Sequence, residues 1–230
     1  MNALIKAALN RNRSFTEPEA RDFLSAYGLP LAGYKVAAHA QEAVAAAEEI
    51  GFPVVLKIVS PDILHKTDAG GVKVGIESQE DLIAAFNDII ANAKDYKRDA
   101  DIHGVMVTSM AEKGLEVIIG AVRDAQFGPV VMFGLGGILV EIFRDVSFRV
   151  APLTEVDALE MVQEIKSAPL LKGYRGDSPK DIQALAQALV TVSRVMEENP
   201  QIKEIDLNPV FVYEQGIVAV DARVILNCAL

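Results

Sequence analysis

The chain has 230 residues, 51% apolar and 23% charged, the composition of a soluble globular protein long enough to bury a substantial core without disulfides or a structural metal. Acidic residues outnumber basic ones by 32 to 22, and the formal charge of −10 argues against nucleic-acid binding and against docking on an anionic membrane. The single cysteine, Cys228, excludes a disulfide framework and a cysteine zinc site within one chain; no apolar stretch of ~20 residues is free of charge and residues 1–13 lack a signal-peptide core, so a cytoplasmic location is expected.

Short apolar runs alternate with helical patterns, which predicts a mixed α and β protein without repeats or linkers. Residues 1–15 read as an arm. A helix is predicted over 16–27, with Thr16 as cap, Pro18 in its first turn, Glu19 completing a capping box and Gly28 as stop. A strand at 34–38 precedes an Ala/Glu-rich helix, 40–50, ended by Gly51. The run 53–59 has a buried-strand pattern broken by Lys57. A loop, 60–71, leads to a strand at 72–76, and Ser78 caps a helix that runs to about Lys94. Further β runs are predicted at 103–110, 115–123, 129–133, 138–143 and 146–152. Thr154 opens a helix to about Lys166, and Ser178-Pro179-Lys180-Asp181 opens another that ends before Pro200. A hairpin, 202–212 with 217–225, closes the chain around Glu214-Gln215-Gly216. The elements fall into two α+β batches, 16–100 and 101–226, with a tail at 227–230.

Four places could carry chemistry. Lys57 is a cation in a run of Val, Leu and Ile. Burying it demands an anionic partner, unless an edge strand lets it reach water. Downstream lies His65-Lys66-Thr67-Asp68-Ala69-Gly70-Gly71-Val72. Its glycines would let backbone N–H groups converge on a phosphate, with Lys66 adding charge; the alternative is a plain exposed loop, and no Walker A motif occurs. In the terminal hairpin, Asp206 and Asn208 are two apart and share a face under strict alternation. A two-residue turn at Gln215-Gly216 pairs Val210 with Asp221, and one at Glu214-Gln215 pairs Asn208 with Asp221. Both put Asp221 on that face, where the three side chains could share Mg²⁺, whereas a three-residue turn reverses it. The competing reading is a polar outer face. Lastly, Gly134-Leu135-Gly136-Gly137 lacks the full dinucleotide fingerprint and fits a tight turn. Glu116 lies in a β run and either binds a ribose or faces solvent. Glu141, Asp145 and Arg149 recur every four residues, and His39 and His103 are given no role.

Lys57, the loop ending Gly70-Gly71-Val72, Glu116 and the Asp206-Leu207-Asn208-Pro209 hairpin occur in the order of an ATP-grasp domain. Residues 60–72 and 121–137 also resemble the ADP-forming acyl-CoA synthetases, and over 16–226 the chain looks like their β-subunits, relatives of succinyl-CoA synthetase. The resemblance implies an α+β (α/β) ATP-grasp fold with two lobes clamping a nucleotide. It implies interconversion of acyl-CoA, phosphate and ADP with acid, CoA and ATP, the CoA and acyl-CoA sites lying on an α-subunit, in an α2β2 assembly. By the same resemblance Lys57 and Lys66 would hold phosphates under the Gly70-Gly71-Val72 loop, and Ser109 and Met110 would read adenine through the backbone. Glu116 would hold ribose, Asp206, Asn208 and Asp221 would hold Mg²⁺, and His65 would relay a phosphoryl group. Thr108-Ser109-Met110 stands where the family more often has Gln or Glu, which leaves the choice between ATP and GTP open. Two other readings compete: a nucleotide-sensing module without turnover, and a lone ATP-grasp ligase of a small carboxylate.

Overall fold

A computed structural model describes residues 1–63, 65–137 and 144–228. The chain forms two compact units, residues 32–112 and residues 1–31 with 113–230. This differs from the division expected at 100/101. β4 (Gly104–Ser109) pairs with both β1 (Tyr34–Ala37) and β2 (Val54–Val59), so the backbone ladder ties it to the earlier strands. Residues 1–15 are no arm either. Asn2 caps α1 (Ala3–Asn10) by accepting from the Leu4 amide, and Ile5 and Ala8 are buried in the core built by the second half of the chain.

The unit of residues 32–112 is an antiparallel sheet in the order β1-β4-β2-β3, where β3 is Val72–Ile76. The helices α3 (Ala40–Ile50) and α4 (Gln79–Tyr96) supply its apolar layer. Ala43 and Ala47 lie one turn apart, as do Leu82 and Phe86, and their cluster includes Val54, Leu56 and Ile58 at alternate positions of β2. Ser78 caps α4 through the Asp81 amide, and Gly51 ends α3 at a φ of 92°.

The larger unit opens with α1 and α2 (Glu17–Ser25). Glu19 closes the start of α2 by accepting from the Thr16 amide at 2.8 Å and hydroxyl at 2.9 Å, while Arg13 forks onto the same carboxylate at 2.6 and 2.7 Å. Its sheet runs β10-β8-β5-β6-β7, with β9 pairing β8 off that path. The strands are β5 (Leu115–Asp124), β6 (Gly128–Leu135), β7 (Val146–Val150), β8 (Ile202–Val212), β9 (Ile217–Ala219) and β10 (Ala222–Leu226). The helices between β7 and β8 are α5 (Glu155–Glu164), the short α6 (Ala168–Leu171), which sequence reasoning did not anticipate, and α7 (Ile182–Glu198). Leu185, Leu189, Val192 and Met196 of α7 form one buried stripe, packed with Ile119, Ala121, Val131 and Phe133 of the sheet. Among the described residues no helix is long and apolar enough to cross a membrane. The strand expected at 138–143, and with it Glu141, lies outside the described residues.

Candidate functional site

Lys57 sits in the middle of β2, opposite Val72 on one side and Met106 on the other. β2 is an interior strand and the lysine is only 5% exposed, so the edge-strand route to water is closed to it. An interior lysine keeps its charge at a cost unless anions answer it.

The loop after β2 is held at both ends. Asp62 accepts from the Asp101 amide at 2.8 Å and from Lys97 Nζ at 2.7 Å, and these two contacts hold its carboxyl below the usual range. At the far end the Gly70 amide donates to the Thr67 carbonyl at 3.0 Å and the Gly71 amide to the Lys66 carbonyl at 2.8 Å. Both N–H groups are thus committed inside the loop, contrary to the expected phosphate cradle. The glycines answer instead to close packing. A Cβ on Gly71 would stand 2.5 Å from Ile58 Cγ2, and one on Gly70, at a φ of 59°, would stand 2.7 Å from the Asn92 amide nitrogen. His65 is exposed, Lys66 is half-buried, and the His65 carbonyl accepts from the Ala69 amide at 3.2 Å.

At the end of β4 the Met110 amide donates to the Pro53 carbonyl at 3.2 Å, which commits one of the backbone groups expected to read adenine. Thr108 is turned inward, its hydroxyl donating to the Gly33 carbonyl at 2.8 Å. This bond ties the end of β4 to the entry of β1.

In the larger unit, Glu116 is exposed on β5, opposite Phe211. Gly136 lies over it, its amide donating to the Glu116 carbonyl at 2.8 Å, and a Cβ there would come within 3.0 Å of the Glu116 Cβ. The glycine run at the end of β6 is therefore shaped by a close approach to Glu116, where the incomplete fingerprint had suggested only a tight turn.

The hairpin is where the structure decides most. Val212 pairs with Ile217, and the Tyr213 amide donates to the Gly216 carbonyl at 3.1 Å, so the turn is Glu214-Gln215. Val210 pairs with Ala219 and Leu207 with Ala222 in one unbroken register, which sets Asn208 opposite Asp221. Strict alternation fails here, however. Against β5 the register of β8 shifts between Val117 and Ile119, and opposite this bulge the return strand is interrupted at Val220-Asp221. A bulge re-aims side chains locally. Asp206, Asn208 and Asp221 occupy neighbouring positions of this irregular stretch of the sheet, half-buried, exposed and half-buried in turn. Two carboxylates and an amide oxygen are the hard donors that Mg²⁺ accepts. No cluster of three His, Cys, Asp or Glu side chains placed for a metal occurs among the described residues, so the amide of Asn208 would be needed.

Sequence reasoning missed three supports of this patch. Arg21, 1% exposed, donates through Nε to the Glu17 carboxylate at 2.9 Å and through Nη2 to the Val220 carbonyl, beside Asp221. The spacing of Glu17 and Arg21, one helical turn, was the available signal. Asp181 accepts from the Ala184 amide at 2.9 Å and the Gly216 amide at 2.7 Å, capping α7 and anchoring the hairpin turn at once; those amides hold its carboxyl below the ordinary value. Arg223 faces Asp206 across the β8–β10 pair. Farther along the same sheet face, Gly120, Met132 and Phe148 continue the row from Asp206 and line a shallow cavity of about 260 Å³. Of the charged series at every fourth position, Asp145 accepts from the Lys166 amide, the Ser167 amide and the Ser167 hydroxyl at 2.7, 2.8 and 2.5 Å, and Arg149 pairs with Glu164 at 2.8 Å, both structural.

Over residues 6–226 the chain matches the ATP-grasp domain family. It is 55% identical over 223 residues to the β-subunit of ADP-forming acetate–CoA ligase I of Pyrococcus furiosus, covering 97% of this chain and 96% of that one. It is 45% identical over 224 residues to ADP-forming acetate–CoA ligase I of Archaeoglobus fulgidus, covering 97% of this chain and 33% of that longer protein. It superimposes with a TM-score of 0.84 on the dinucleotide-forming acetyl-coenzyme A synthetase 1 of Ca. Korarchaeum cryptofilum, at 50% identity and covering 97% of this chain and 98% of that one. That structure holds coenzyme A and Mg-AMPPCP, with a phosphohistidine segment pointing towards the nucleotide binding site. The chain belongs to the ATP-grasp family, among the β-subunits of the ADP-forming acetate–CoA ligases.

Proposed function

We propose that this chain is the nucleotide-binding subunit of an ADP-forming acyl-CoA synthetase, interconverting acyl-CoA, ADP and phosphate with acid, CoA and ATP through a phosphohistidine relay. The observation that carries the proposal is the hairpin register that sets Asn208 opposite Asp221, two residues along from Asp206. Such an oxygen-rich patch is what a metal–nucleotide complex requires, and the relatives whose whole length the chain matches are β-subunits of that ligase. The nucleotide is ATP or ADP. Lys57 and Lys66 hold its phosphates; because the Gly70 and Gly71 amides are committed, the Gly70-Gly71-Val72 segment contributes by shape. With the Met110 amide also committed, the carbonyls at Ser109 and Met110 are left to accept from an adenine amino group. Glu116 accepts from the ribose hydroxyls. Asp206, Asn208 and Asp221 hold Mg²⁺, which when bound neutralises charge on the phosphate oxygens.

His65 carries the phosphoryl group. An imidazole nitrogen lone pair attacks phosphorus, and the bond to the former bearer breaks with its electrons leaving on that oxygen. In the second transfer an ADP phosphate oxygen attacks, the P–N bond breaks, and the imidazole recovers its lone pair. The exposure of His65 supports this role, since the group must reach two partners. The CoA and acyl-CoA chemistry belongs to a partner α-subunit, in an α2β2 assembly within the cytoplasm; a relative about three times as long supports a partner that is fused in some members.

The test is to incubate the chain with Mg²⁺ and γ-³²P-ATP, with and without the α-subunit. Acid-labile, base-stable label is expected on this chain and absent from His65→Ala. Label confined to the α-subunit and unchanged by the substitution would remove His65 from the relay. Nucleotide binding without label on either subunit would favour a sensing module, and acyl-CoA synthesis without a partner would favour a lone ligase.

A further inference from the structure

We infer that Arg223 is a resident counter-ion of the metal patch, which makes it reject a bare divalent cation and accept one that arrives with a nucleotide. The inference deepens the metal reading above and rests on it. Arg223 stands directly opposite Asp206 in the β8–β10 pair. Its Nη2 donates to Glu204 Oε1 and lies 3.9 Å from Asp206 Oδ2. Glu204 and Asp206 are two residues apart on one strand, so their like charges share a face and Arg223 lies against both.

The guanidinium is incompletely used in this arrangement. Arg223 Nε is buried without an acceptor, while the side chain as a whole remains one third exposed. Here Arg223 is hydrogen-bonded to Glu204 and lies 3.9 Å from Asp206, so a cation bound at Asp206 would leave the Arg223–Glu204 contact intact. A bare divalent ion at Asp206, Asn208 and Asp221 would then sit beside a fixed positive charge and be repelled. The phosphates of a nucleotide reverse that sign: they are attracted to the same guanidinium and offset the repulsion felt by their metal. One residue thus opposes the ion and favours the complex. Arg223 is a positioning residue by this account, acting on Asp206 and on the charge of the patch.

The test uses the full chain with two probes. Mn²⁺ alone is titrated by electron paramagnetic resonance, and Mg-AMPPCP by calorimetry, in the parent, Arg223→Gln and Arg223→Lys. Arg223→Gln should bind Mn²⁺ alone about three- to thirtyfold more tightly, an advantage that shrinks in high salt, and Mg-AMPPCP at least about threefold more weakly. Arg223→Lys, which keeps the charge, should stay close to the parent on both. A structural role would not move the two probes in opposite directions. If Arg223→Gln leaves Mn²⁺ affinity unchanged or weaker while Asp206→Asn still weakens it, the counter-ion inference fails and the metal site survives. If Asp206→Asn and Asp221→Asn leave Mn²⁺ binding untouched, the metal reading itself is overturned.

Discussion

Inserting one glycine between Glu214 and Gln215 sets the turn against the core in deciding the register that builds the metal patch. If the two-residue turn persisted, the return strand would slip by one and every side chain on β9 and β10 would change face. Ile217, Val224 and Leu226, all buried now, would meet water, and Asp221 and Arg223 would turn inward. Exposing three such side chains costs about 5–9 kcal/mol, before any penalty for buried charge, against a total stability of about 5–15 kcal/mol for a typical domain. Looping out the extra residue costs less. It sacrifices the Tyr213–Gly216 backbone bond and the bond from the Gly216 amide to the Asp181 carboxylate, together about 2–4.5 kcal/mol. The insertion should therefore lower the unfolding free energy by that amount, read as a lower urea midpoint at constant m-value, while Mg-AMPPCP affinity in calorimetry stays within about threefold of the parent. A folded variant with unchanged m-value but no nucleotide binding would refute the argument, because it would mean that the turn, and not the apolar pattern, sets the register.

Replacing Lys57 by Met should weaken Mg-AMPPCP binding by at least about tenfold without loss of far-ultraviolet dichroism, since charge-assisted bonds to phosphate are worth about 1.5–3 kcal/mol; unchanged affinity would remove Lys57 from the phosphate site. Gly71→Ala should cost about 1–3 kcal/mol in urea unfolding, because its Cβ would overlap Ile58. Asp145→Ala should destabilise by about 2–5 kcal/mol, leaving the Lys166 and Ser167 amides without their acceptor. Burial raises the pKa of Asp145, but the Ser167 hydroxyl and the two amides outweigh it and hold the carboxyl below its usual value. Its contribution is thus fully present above the ordinary carboxylate pKa and is lost as pH falls through the lower folded value. Thermal melts from neutral pH into the acid range should show the gap between parent and variant narrowing only in acid; a gap constant with pH would contradict this.

How much was legible in the sequence follows from the range of the interactions involved. Capping and stop signals act within a few residues, so Thr16 with Glu19, Ser78 with Asp81 and Gly51 marked helix ends that the fold retains. The buried-strand pattern around Lys57, the loop with His65 and the Asp206–Asn208 hairpin were visible for the same reason, as was the family likeness they carry in order. Tertiary structure decided what depends on partners far along the chain. Met1 to Phe15 looked like an arm because nothing near it in sequence shows what its apolar residues pack against, and only the core from the second half of the chain shows why Ile5 and Ala8 are buried. The glycines after His65 invited a phosphate reading, yet Ile58 and Asn92 dictate them, and neither adjoins them in sequence. Alternation on β8 left the facing of Asp221 open between turn types. The bulge against β5, the clasp of Arg21 on Val220 and the Arg223 contact with Glu204 and Asp206 shape that stretch of the sheet through packing, which no local pattern encodes.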